Sequence, residues 1–453
     1  MEKLRVNDTP VRTARNFLIN NIEIELEMPE KIAEFKNIEI INNGSIIDNQ
    51  TTNQALTYGT GKILEELNYE TANNKIRIQT ENKKENIRIR YTFDDENINL
   101  INQIEIIANG DTNIIIEYIS NTSKKCFHNG IIRTIANAKS KLDITIVNLL
   151  NEQSENFEAI ENKLEENSNV KYTIIDIGGK TSISNYYSNI IGDNAENDLK
   201  SIYLGIDNQI KDINYIAELR GKKTNIDIDV QGALKDSAKK NFKGTIDFKK
   251  GAKKSKGNEN EYCMLLSNKA KSIALPMLLC TEEDVEGNHS TASGKVDMKQ
   301  LFYLMTRGLS YKEAVKLIVK ANFQKIIDRI NDEELNSLDI NMNFLGLNLA
   351  QIPTRSGDWK AFIIPVLYVL VSVISLRITN PTPKKKDGEE KNSEDEFDPM
   401  AQMNKNMNLM FPVMYLAVAL IAPLGLALYW LMNSLLMIIE RLALNKMLKD
   451  EEE

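Results

Sequence analysis

The fold class this sequence predicts is a mainly β body, closed by a short helical unit and followed by an all-α apolar segment. Three observations predict it. Between about residues 76 and 250 the apolar side chains recur at every second position. After Ser290 the spacing changes to that of a helix, and beyond Lys360 two long uncharged runs interrupt an otherwise polar chain.

The strands follow in order. "NKIRIQT" puts Ile76 and Ile78 on one face, and "NIRIRYTF" does the same with Ile87, Ile89, Tyr91 and Phe93. "NQIEIIA", "NIIIEYI", "KLDITIV", "VKYTIIDI", "TNIDIDV" and "GTIDFKK" continue the series. All are short β-branched runs bounded by Asn, Gly, Asp and Lys, the composition of strands and turns. No ten-residue helical pattern separates most of them, which excludes an alternating βαβ sheet. A sandwich, a barrel and a β-solenoid all remain open, because no fixed-period repeat selects the solenoid. "DIGGKTSISN" (Asp176–Asn185) is not a phosphate loop: Ile174 stands where the spacing needs Gly, and no helical pattern follows.

The helical unit begins after Ser290. Leu301, Leu304 and Met305, then Ala314, Val315, Ile318 and Val319, recur at helical spacing across a break at Arg307-Gly308. Ser310 and Glu313 form the capping-box pattern of a second helix.

The apolar segment is third. Sixteen residues between Lys360 and Arg377 carry no charge, and neither do thirty-four between Lys405 and Glu440. The longer run as one helix would reach about 51 Å, beyond the roughly 30 Å of a bilayer core. "APLG" at Ala422–Gly425 breaks it into a hairpin, so about three transmembrane helices are expected, with Trp359, Tyr429 and Trp430 as interfacial anchors. A core hairpin of a soluble domain is the alternative. The linker "NPTPKKKDGEEKNSEDEFDP" is charged, Pro-punctuated and expected to be disordered.

Composition bounds the function. The 453 residues carry a net charge of −8 and a mean hydropathy of −0.34, which argues against a nucleic-acid partner. The first twenty residues contain no apolar core of a secretory signal. Three scattered cysteines (Cys126, Cys263, Cys280) and two histidines (His128, His289) supply neither a disulfide framework nor a closed metal cage, and a reducing cytosol fits them. The densest set of ligand-type side chains is "CTEEDVEGNHSTASGKVD" (Cys280–Asp297), where Cys280, Glu282, Glu283, Asp284, Glu286 and His289 offer donors to iron. On chemistry alone this run reads as a polar loop closing the β body, with His289 bonded to backbone.

The same run, extended as "ALPMLLCTEEDVEGNHSTASGKVDMKQLFYLMTRGLSYKEA", resembles the signature of the SufB/SufD family of iron–sulfur cluster assembly scaffolds. "PVRTARNFLINN", "FHNGIIRTIA" (Phe127–Ala136) and "GALKDSAKKNFKGTIDFKKGAKKSKG" (Gly232–Gly257) extend the resemblance over about residues 1–340. The resemblance implies a right-handed parallel β-helix with flanking helical segments. It also implies a complex with a SufC-like ABC-type ATPase, pairing with a SufB/SufD paralogue or with itself, and a transient Fe–S cluster; it leaves a flavin open. ATP chemistry would then belong to the partner, and the chain would be a non-catalytic scaffold. By resemblance His289, a tentative metal ligand, and Asp284 are the cluster-assembly candidates, with Cys280 taken as the weaker one because a buried cysteine is usually inert packing. Leu301, Phe302, Tyr303, Leu304, Arg307 and Gly308 match the ATPase-docking region. Gly287 stands where some relatives have Cys and Ser290 where SufB proteins have Glu, while Cys263 is offset by two residues from the SufB catalytic cysteine. The pattern is closer to SufD or to a divergent paralogue.

"FLGLNLAQIP", "IIPVLYVLVSVISL" and "NLMFPVMYLAVALIAPLGLALYWLMNSLLMIIERL" resemble the C-terminal part of YidC-type membrane insertases. The first core helix of that family and its groove arginine are absent. Arg377 and Arg441 lie at span ends and do not replace it, so an insertase or chaperone fragment is the alternative function. The organisation expected is an N-terminal segment (1–72), a β-helix core (73–295), a helical unit (296–340), a first apolar span with its lead-in (343–378), a linker (379–405) and a transmembrane hairpin with tail (406–453). The body is expected in the cytoplasm, and the spans in the bilayer. Three spans would put the two ends on opposite sides of the membrane, and Lys384–Lys386 favour a cytosolic linker. A first span that does not cross, an inverted chain, or a join of two partial proteins near 338–345 would each resolve this; the join is the one expected, and amplification across those codons tests it.

Overall fold

The computed structural model describes residues 2–13, 19–29, 32–42, 45–81 and 83–330, then 343–344, 347–348, 354, 362–379, 420, 428, 431–435 and 438. The chain divides into two compact units, Met1–Leu335 and Asn336–Glu453.

The first unit opens with an antiparallel pair, β1 (Glu2–Val6) and β2 (Ile22–Leu26), followed by β3 (Ile38–Asn42), β4 (Ile46–Asp48) and helix α1 (Lys62–Thr71). Sixteen strands follow, from β5 (Asn74–Gln79) and β6 (Lys84–Phe93) to β19 (Lys271–Cys280) and β20 (Val285–Lys295). Odd-numbered strands from β5 onward stack in one parallel sheet and even-numbered strands in a second, so the body is a β-solenoid of eight two-stranded coils. Strands β3 and β4 pair antiparallel with β6 and β5 and close the first coil. Sandwich and barrel are thereby excluded.

Repetition is real but uneven. One coil advances the chain 28 residues from Phe127 to Glu155, 26 from Glu155 to Thr181 and 32 from Lys239 to Lys271. Tight corners at Asn167, Asn194, Asp207 and Asp236 take positive φ, a conformation that Asn and Asp tolerate best after Gly.

Alternation sends every second side chain into the space between the sheets. There Ile, Leu, Tyr and Phe stack in one continuous core from Phe35 to Cys263. Tyr172, Tyr186, Tyr215 and Phe242 form an edge-to-face ladder with centroids 5.1, 5.9 and 6.2 Å apart. Outside the odd-numbered sheet, Leu4, Val6 and Leu64 bury Ile101, Phe127, Phe157 and Ile183. Helices α2 (Met298–Thr306) and α3 (Tyr311–Ile327) end the unit. The Ser310–Glu313 capping box forms as the sequence predicts, and Phe323 and Ile326 of α3 pack on Ile202, Ala233 and Met264 of the even-numbered sheet.

In the second unit the described elements are the two-stranded pair β21 (Asn343–Phe344) and β22 (Leu347–Asn348), and helix α4 (Ile363–Thr379). Helix α4 falls on the first expected span. Its 17 residues rise about 25 Å, short of a bilayer core. Among the described residues no helix is long and apolar enough to cross a membrane. The linker, nearly all of the expected hairpin, Arg441 and residues 338–342 lie outside the described residues.

Candidate functional site

The last coil differs from the seven before it. Strands β19 and β20 each have a paired neighbour on one side only, β17 (Lys239–Phe248) and β18 (Ser255–Leu265). Among the described residues no coil follows, and most side chains of β19 and β20 are exposed or half-buried. Four residues on one face of β19, Ile273, Leu275, Met277 and Leu279, are apolar, and Ile273 is exposed. An unprotected edge with apolar side chains is a surface that other proteins cover.

The run read as a polar loop is mostly strand: only 281–284 turn the corner, and Val285–Lys295 is β20. Polar residues on both of its faces hid it, since the edge leaves even the inward row wet. A Cβ on Gly287 would meet Leu278 and Phe248, so position 287, and by alternation His289, faces the solenoid axis. His289 is exposed because none of the described residues stacks above it. Its rung partner is Glu259.

Cys280 is exposed, which corrects the expectation of a buried, inert thiol; it ends the edge strand, where no further coil covers it. Its Sγ donates to the Glu282 carbonyl at 2.8 Å. With Phe248, Leu278, Glu282 and Glu283 it lines an open depression of about 640 Å³. The Asp284 carbonyl accepts from the Lys254 amide on the preceding coil. The Gly251 amide, 2.9 Å from Glu282 Oε2, holds that carboxylate below its usual range. The corner therefore gathers Cys280, Glu282 and Asp284, while His289 stands two inward positions further along β20. Among the described residues no three His, Cys, Asp or Glu side chains converge as metal ligands, so these candidates do not form a cage within this chain alone.

Directly beneath lies a charged interior that sequence reading missed. Lys240 Nζ lies 2.7 Å from Glu261 Oε1, both fully buried, and the Tyr203 hydroxyl donates to the same oxygen at 2.9 Å. Glu259 is buried beside them, and burial first, then the Glu261 charge, push its carboxyl up to about 8. Burial also raises the Cys263 thiol. Two glycines of the Gly232–Gly257 motif make room: a Cβ on Gly232 would lie 1.8 Å from Tyr203 Cζ, and one on Gly244 2.2 Å from Glu259 Oε1. Deeper in, Lys211 pairs with Asp176 at 2.8 Å. Further still, Tyr118 donates to Glu158 at 2.9 Å, and burial lifts that carboxyl to about 7. His128, wedged between Asn102 and Asn156, is pushed down to about 4 by burial.

The expected docking residues divide. Leu301 is buried and Leu304 half-buried, so they hold α2 in place. Phe302, Tyr303, Arg307 and Gly308 are exposed, with the Arg307 guanidinium 5.2 Å from the Tyr303 ring centre. Met298, Phe302 and Met305 form an exposed apolar stripe at helical spacing.

Residues 92–322, just over half of the chain, match the family described as SUF system FeS cluster assembly, SufBD core domain. Residues 301–451 match the family described as 60Kd inner membrane protein, and the two matches share 301–322. Over 149 residues the chain is 32% identical to the iron–sulfur cluster assembly protein SufD of Bacillus subtilis, covering 33% of this chain and 34% of the relative. A SufBD family protein of Pyrococcus horikoshii is 30% identical over 171 residues, 37% of each chain. One of Staphylococcus saprophyticus is 23% identical over 234 residues, 51% of this chain and 50% of the relative. The chain spans from about a third to a half of the length of these relatives.

Proposed function

The chain belongs to the SufBD core family, and from that membership we propose that it is a non-catalytic scaffold of SUF-type iron–sulfur cluster assembly. The observation that carries the reading is the uncovered terminal coil, which presents His289, Cys280 and Asp284 around one unpaired edge. A nascent cluster is the cargo. Ligands for it would come from His289 or Cys280 together with groups of a second subunit, a paralogue or a copy of this chain, seated on β19 and β20. The exposed stripe Met298–Phe302–Met305 suits an ABC-type ATPase, whose nucleotide cycle would move the pair. The test is co-expression of the full chain with such an ATPase. Co-purification in wild type, lost at least tenfold in Phe302→Asp with unchanged melting temperature, supports the reading; equal recovery of both refutes the docking surface.

A second reading rests on one observation, the match of 301–451 to the inner membrane protein family, which includes the apolar helix α4. In it the C-terminal unit assists membrane protein insertion. Rescue of an insertion-deficient strain by the full chain would favour that role.

A further inference from the structure

The corners joining the odd-numbered sheet to the even-numbered sheet stack rung on rung, and their charges come in blocks. Glu165 and Glu166 occupy one corner, Asp193 the next, Lys222 and Lys223 the third, Lys250, Lys253 and Lys254 the fourth, and Glu282, Glu283 and Asp284 the last. Backbone bonds lock each corner to its neighbour: Asn194 N to Lys222 O at 2.8 Å, Lys223 N to Lys253 O at 2.8 Å, and Lys254 N to Asp284 O. The Thr224 and Ser255 hydroxyls bond at 2.8 Å beneath the basic pair of corners. Adjacent rungs lie about 4.8 Å apart, so five ammonium groups crowd onto two rungs.

One feature sets this block apart. Lys249 pairs with Asp247 and Lys256 with Glu286, but among the described residues Lys222, Lys223, Lys250, Lys253 and Lys254 make no ion pair, and all five are exposed. Lys223 and Lys254 hold φ of 54° and 60°, as Lys139 does at 67° in an earlier corner, where the corners between carry Asn167 and Asn194. A long side chain at a left-handed position is less favourable than Asn, so charge is kept there at a conformational cost. The whole chain is acidic at −8, which makes this cluster of cations contrary to its setting.

We propose that the paired corners Lys222–Lys223 and Lys250–Lys254 are a docking surface for an acidic polypeptide segment. The block is two rungs wide and bounded on both sides by carboxylates. A nucleic-acid backbone running along the stack would meet Asp193 and Glu282–Asp284, whereas a compact cluster of Asp and Glu fits between them. The surface adjoins the Cys280 corner through the Lys254–Asp284 backbone bond, so a segment held there is delivered beside the terminal coil. The inference stands independently of the scaffold reading.

The experiment uses the full chain and fluorescein-labelled hexaglutamate, read by fluorescence anisotropy against salt, with a six-nucleotide oligothymidylate as competitor. The variant is Lys222→Gln/Lys223→Asn/Lys253→Gln/Lys254→Asn, in which Asn suits the two positive-φ positions and preserves the corners. A second variant, Lys139→Asn, removes a cation from another corner and controls for general charge. Binding that weakens at least tenfold in the quadruple variant, less than twofold in the control, and flattens in its salt dependence is the result expected. A loss of less than tenfold in the quadruple variant, an equal loss in the control, or tighter binding of the oligothymidylate than of hexaglutamate overturns the proposal.

Discussion

Glu259→Gln gives a more stable protein in alkali. The carboxyl is buried beneath the open coil, next to Glu261, whose charge is already matched by Lys240. His289 is the rung partner of Glu259 on β20. The sign follows from proton counting. Folding raises this carboxyl from 4.5 to about 8, so between those values the native state holds a proton that the unfolded chain has released. Stability is intact below the unfolded value and is lost as pH rises toward the folded one. Each pKa unit corresponds to about 1.4 kcal/mol, so the full shift sets a ceiling of about 5 kcal/mol near pH 9. Gln reproduces the neutral carboxyl at every pH and removes this loss. Glu158, lifted to about 7, titrates in both proteins and cancels from the difference. The assay is thermal unfolding followed by circular dichroism from pH 5 to pH 9. The two proteins should melt together at the acid end and separate by on the order of 10 °C at the alkaline end. Curves that stay parallel across the range refute a buried neutral carboxyl at 259.

Three other outcomes follow from the same interior. Gly232→Ala puts a methyl into the Tyr203 ring and should cost about 1–3 kcal/mol in urea unfolding, with Tyr203→Leu recovering part of the loss in the double variant. Lys240→Met strands the Glu261 carboxylate in the core and should cost about 3–5 kcal/mol by the same measurement. Native thiol labelling should modify Cys280 alone, because burial covers Cys126 and Cys263 and raises both thiols; rapid labelling of all three would mean that the coils open.

The strands were legible because Ile and Tyr alternate with polar residues in "NIRIRYTF" and its successors, and the structure folds them as strands. The solenoid was not, since coils of 26 to 32 residues blur any fixed period. Polar strands were harder still. In "SKGNENEYCML" Glu259 and Glu261 take the inward positions, which alternation alone assigns no less readily to the outward Asn258 and Asn260. Only the register against Lys240 and Tyr203 shows which row is inside. His289 and Asp284 stood out by chemistry, but the reason His289 is reachable is topological: it lies in the last coil of a stack. Buried Lys211 and Lys243 give no signal in sequence, because each looks like any solvent-facing lysine until the fold supplies its carboxylate, Asp176 across the coil for Lys211 and Asp212 on the neighbouring strand for Lys243.

The scaffold account turns on the terminal coil. The full chain, purified without oxygen together with a co-expressed ABC-type ATPase and supplied with iron and sulfide, should develop sulfide-to-iron charge-transfer absorption, and His289→Ala should lose at least half of it. Absence of that absorption in the wild-type complex, or equal intensity in the variant, contradicts the account.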